Sequence, residues 1–90
     1  MNVEDAISAE CQELERMLIA KNRAYGNSFA EPINIFSKVD ARSQLYVRID
    51  DKLNRLAKGH EYANEDTVMD LIGYLVLLRV LNRMNDGKNL

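Results

Sequence analysis

One cysteine, one histidine and a net charge of only −2 set the first limits on this chain. Cys11 alone cannot close an intramolecular disulfide, which suits a reducing compartment. His60 is the only imidazole, so a Cys/His zinc site within one chain is not expected. Charges of both signs are interspersed, leaving no broad basic face for nucleic acid. The longest apolar run, Val68 to Leu81, is broken by Asp70 and falls short of the ~20 residues a membrane span needs. The first residues are acidic and polar rather than basic then apolar, so no secretion signal is expected. Repeats, low-complexity tracts and long linkers are also missing. The expected location is the cytosol, for a phage or bacterial host product.

What is present is a folded composition, 47% hydrophobic and 29% charged, in 90 residues. That length makes a single domain spanning residues 1–90. A chain so short hides only ~60–65% of its unfolded surface, which favours self-association.

The patterning predicts an all-α fold of three long helices plus a short helical turn. The first helix runs from about Val3 to Ala24, capped by Asn2 with Asp5 three residues on. Ile7, Cys11, Leu14 and Leu18 form its expected buried stripe, and Gly26 ends it. Phe29, Ile33, Ile35 and Phe36 surround Pro32, which suits the first turn of a short helix folding back over the core. The second helix spans about Ala41 to Lys58, with Leu45, Ile49, Leu53 and Leu56 as its stripe and Gly59 as its stop. Asn64 is the expected cap of a third helix reaching about Asn85, before Gly87. From Met69 to Leu81 that helix is apolar on nearly every side, so neighbours must wrap it. An antiparallel bundle completed by homo-oligomerisation, as a homodimer or homotetramer, is the expectation.

Polar residues interrupt these stripes where periodicity calls for apolar ones. Lys21, Asn22 and Tyr25 extend the first stripe; Arg48, Asp51 and Arg55, with Lys52 beside them, lie on the second helix; Asp66 and Asp70 begin the third. Burying a charge costs several kcal/mol or more unless it is paired or coordinated. Carboxylates from two helices can hold magnesium, which prefers oxygen ligands, and the metal can bridge phosphate oxygens and activate water. Lysine and arginine would neutralise the remaining phosphate charge, and Tyr25 could stack on a base. A plainer account is a buried network fixing register, with Arg48 paired to Asp51 along its helix or to Asp70 across helices. Asp66, near a helix start, also suits the helix dipole. Gly73 inside the third helix suggests close approach of another helix.

Three segments carry a family resemblance. Lys21-Asn22-Arg23-Ala24-Tyr25-Gly26-Asn27-Ser28 looks like the "KN-x-x-YG-x-S" segment of the nucleotide modification associated domain family, common in phages. Val47 to Leu56 resembles that family's "VRI-x-DKL-x-RL" helix, and Glu65 to Tyr74 its "ED-T-x-x-DL-x-x-Y" helix. The family is similar to the all-α nucleoside triphosphate pyrophosphohydrolases of the MazG and dimeric dUTPase type. The resemblance implies helical protomers that assemble, bind nucleotides with magnesium and cleave between the α- and β-phosphates. Those enzymes use an E-x-x-E pair and an E-x-x-D pair on two helices. This chain instead has adjacent Asp50 and Asp51, pointing ~100° apart, and Asp66 and Asp70 four apart.

Three functions stand open on this reading. The first is a magnesium-dependent pyrophosphohydrolase. Asp51, Asp66 and Asp70 would hold the metal, with Asp51 and Asp70 catalytic. Lys21, Arg48, Lys52 and Arg55 would contact phosphates, and Asn22 and Tyr25 base or sugar. The second is a non-catalytic nucleotide-binding or sequestering protein, which the short acid set favours. The third is a protein-interaction bundle that inhibits a host defence complex.

Overall fold

Local capping explains where each helix begins and stops. The structure, a computed structural model, describes residues 2–59 and 65–89. Helix α1 (Val3–Tyr25) starts at Asn2, whose side chain accepts a hydrogen bond from the Asp5 amide at 2.8 Å. Glu4 and Asp5 in its first turn complement the helix dipole. It stops at Gly26, whose left-handed φ of 60° lets its N–H turn back to the Asn22 carbonyl. Helix α2 (Ala41–Lys58) is capped by Asp40, which accepts from the Ser43 amide at 2.8 Å. That hydrogen bonding to Ser43 holds the Asp40 carboxyl below its ordinary pKa. Helix α3 (Thr67–Asn89) is capped by Asp66, whose carboxylate accepts from the Met69 amide at 3.0 Å. Asn64, the expected cap, lies outside the described residues, and α3 continues through Gly87 rather than ending before it.

The all-α expectation holds: no strand occurs among the described residues. Lys52 meets Asp70 and Arg55 meets Glu65, so α2 and α3 run in opposite directions. Lys21 meets Asp70 while Leu18 faces Gly73, so α1 is likewise antiparallel to α3. Helix α3 contacts both of the others, whose backbones do not approach each other closely. No described helix is long and apolar enough to cross a membrane.

Gly73 is where α1 and α3 come closest. A Cβ there would sit 3.0 Å from Leu18 Cδ2 and 3.6 Å from the Met17 methyl group. The close approach expected from a glycine inside an apolar helix is therefore present.

The segment after α1 departs from expectation. The turn forms ahead of Pro32, where the amides of Ala30 and Glu31 both donate to the Asn27 carbonyl at 3.0 Å. No helical turn follows. Proline disfavours the helical region for the residue before it, and Asn34 adopts a left-handed φ of 53°. Ile33 and Ile35 are exposed and Phe36 is 98% so; only Phe29 and Ala30 of the early segment fold inward.

Within one chain the core is small. Leu45 and Leu81 are its buried apolar side chains among the described residues, joined by Thr67. The expected stripe of α1 is not buried: Ile7 and Cys11 are exposed, and Leu14 and Leu18 only half-buried. On α2, Leu53 and Leu56 are likewise exposed, leaving Leu45 buried and Ile49 half-buried. Apolar periodicity marks these faces, but contact with α3 covers only part of each.

Candidate functional site

Where the last turns of α1 approach the first turns of α3, a hollow of about 420 Å³ opens, with α2 closing one side. Its lining includes Lys21, Asn22 and Tyr25 from α1, Arg48 from α2, and Asp70 and Tyr74 from α3. Leu18, Leu45 and Leu77 supply apolar floor. Five residues singled out from the broken stripes thus share one cavity. The antiparallel packing produces this, because the end of α1 and the start of α3 meet at one level.

Asp70 is the electrostatic centre. Lys52 Nζ stands 3.3 Å from its Oδ2, and Lys21 Nζ stands 3.6 Å from its Oδ1. The Lys52 side chain is only 12% exposed and that of Asp70 21%, so this pair is largely shielded from water. Lys21 is half-exposed. Arg48 lines the same hollow and makes no ion pair among the described residues. Two cations, Lys21 and Arg48, thus line the hollow with one carboxylate, and Lys52 meets that carboxylate from α2 without being part of the lining.

Polar groups at the mouth are held by the turn that follows α1. The Asn22 side-chain amide donates to Asn27 Oδ1 at 2.6 Å, tying the helix end to the left-handed Asn27. Tyr25 lines the hollow and is 66% exposed. Ser28 and Phe29 complete the wall. Neither was expected at the site: Ser28 ends the first motif-like segment, and Phe29 belongs to the apolar group around Pro32.

The remaining candidates go elsewhere. Arg55 pairs with Glu65 across the α2–α3 connection. Asp66 is occupied as the α3 cap. Asp51 is exposed on α2. Among the described residues, no three Asp, Glu, His or Cys side chains gather closely enough to hold a metal ion. The expected trio of Asp51, Asp66 and Asp70 is therefore not brought together within one chain. The plainer pairings of Arg48 with Asp51 or Asp70 are not formed either; lysines take that place on Asp70.

No family model, curated protein or solved structure matches this chain.

Proposed function

We propose that this hollow takes the phosphate groups of a nucleotide and that the protein holds the nucleotide without turning it over. The observation carrying this reading is the convergence of Lys21 and Lys52 on Asp70, beside an Arg48 with no partner among the described residues. A phosphate entering there meets the point charge of Lys21 and the planar fork of Arg48. Asp70 holds the two ammonium groups. Tyr25, at the rim, offers its ring to a base, a contact worth ~1–3 kcal/mol where bases stack on aromatics.

The hydrolytic alternative asks more of the donor set. Magnesium wants several oxygens, and both carboxylate oxygens of Asp70 already face ammonium groups. With Asp66 capping α3 and Asp51 exposed, the acids of one chain do not fit that role. Binding and sequestration in the cytosol is the reading they support, by a homodimer or homotetramer.

The test is calorimetric titration of the pure protein with nucleoside mono- and triphosphates and cyclic nucleotides, with magnesium and again with a chelator. Saturable binding that survives the chelator, with no product on chromatography, is the expected result. Arg48→Ala should weaken it ~10–100-fold, the loss of one charge-assisted hydrogen bond. Pyrophosphate release would restore the hydrolase. Melting unmoved by any nucleotide would favour a protein-interaction bundle instead.

A further inference from the structure

We infer that the hollow and an apolar cavity beside it form one slot for a single-chain amphiphile. Its anionic head sits at Lys21 and Arg48, and its apolar tail runs between α1 and α3. The inference rests on the proposed function only for the anionic seat; it uses neither a base nor Tyr25.

The second cavity, of about 590 Å³, has the size of small-molecule sites. It adjoins the hollow, because Leu18, Asn22, Phe29 and Leu77 line both. Both helical walls grade from charged to apolar in the same direction. From the hollow outward, α1 presents Lys21, then Leu18, then Leu14 and Cys11; α3 presents Asp70, Leu77, Val80 and Met84. Antiparallel packing aligns the two gradients. At 1.5 Å per residue, Asp70 to Met84 spans ~21 Å of helix. The charged residues lining the apolar cavity, Glu15, Arg23 and Glu31, are exposed, and the Asn22 amide is spent on Asn27. Polar ligand groups find few partners there.

This gradient selects the occupant. A base or sugar in the apolar cavity would leave polar edges unpaired, which burial penalises. A methylene chain leaves nothing unpaired and gains from each carbon it buries. The head is anionic because the charged end carries Lys21 and an Arg48 without an ion pair among the described residues. A guanidinium takes a carboxylate or a phosphate as a two-pronged partner. Fatty carboxylates and alkyl phosphates share that chemistry.

Calorimetric titration of the full chain with butyl, hexyl, octyl and decyl phosphate, each below its micelle concentration, tests this. Affinity should rise about two- to fourfold per added methylene. Octanoate against octyl phosphate shows which head is preferred, and octanol should bind at least ~10-fold more weakly than the better of them. Decyl phosphate should slow alkylation of Cys11, an exposed thiol on the cavity wall, several-fold, and inorganic phosphate should not. Cys11→Asp, at an exposed position that spares the core, should flatten the chain-length gain. Arg48→Ala should weaken octyl phosphate ~10–100-fold and leave octanol unchanged. Affinity independent of chain length would overturn the inference, as would octanol binding as tightly as the anions. Nucleotides in the same assay judge the proposed function separately. Nucleotide binding without chain-length dependence removes the slot and keeps the phosphate seat; chain-length dependence without nucleotide binding keeps the slot and removes the nucleotide.

Discussion

Asp70 separates the two chemistries most sharply, because they give its substitution opposite signs. Consider Asp70→Asn, which keeps shape and removes charge. In the free protein, Lys52 would lose its partner while its side chain stays only 12% exposed. Breaking a fully buried pair costs ~3–5 kcal/mol, while exposed pairs contribute ~0–1 kcal/mol. A site intermediate in exposure should lose ~1–3 kcal/mol, or roughly 5–15 °C in melting temperature for a domain this small. Nucleotide affinity should move the other way. The carboxylate repels an incoming phosphate, and at a separation of ~6 Å and an effective dielectric of 20–80 that repulsion is worth about 0.7–3 kcal/mol. Removing it frees Lys21, which lines the hollow, for the ligand. Taking the screened end of that range, the dissociation constant should fall ~3–30-fold.

Scanning fluorimetry and calorimetry at fixed salt and fixed protein concentration read both quantities on one sample. A destabilised protein that binds more tightly is the signature of Asp70 as a spacer for cations. If Asp70→Asn abolishes nucleotide binding while circular dichroism still reports full helix content, the carboxylate is itself a ligand group. The cationic-hollow reasoning would then fail.

Asp66 offers a parallel discrimination. Asp66→Ala should lose ~1 kcal/mol with the α3 cap, Asp66→Asn should retain most of it, and neither should change nucleotide affinity more than twofold; a metal ligand would lose function in both. Gly73→Val should push α1 from α3 at Leu18 and lose ~1–3 kcal/mol in thermal denaturation, beyond what an exposed helical site would show. The Asp40 carboxyl, its pKa lowered from 3.8 by hydrogen bonding to Ser43, stabilises the folded state fully above that unfolded value. That contribution is lost as pH falls through the lower folded value, so wild-type melting should drop faster below pH 3.8 than that of Asp40→Asn.

The signals that could be read from sequence were local or periodic, and those that could not depended on competition among partners. Asn2, Gly26 and Gly59 announce helix ends because capping needs only three or four neighbouring residues. The polar positions Lys21, Asn22, Tyr25, Arg48 and Asp70 break apolar stripes, and antiparallel packing carries them to one cavity. Sequence spacing says which residues share a face, but not which partner each charge takes. Asp66 faces the helix end nearest to it, and the Met69 amide claims it before any cation can. Arg55 is level with Glu65 across the short connection, which removes it from the hollow. Lys52, expected to contact phosphate, instead reaches Asp70 on its four methylenes while its side chain stays largely covered. The same limit governs burial. Ile7, Cys11 and Leu14 carry a regular apolar spacing, but spacing does not reveal whether the covering surface belongs to the same chain. Here α3 packs chiefly against α2 and α1 is left with one open face, so the hydrophobic pattern of α1 is only partly covered within the chain.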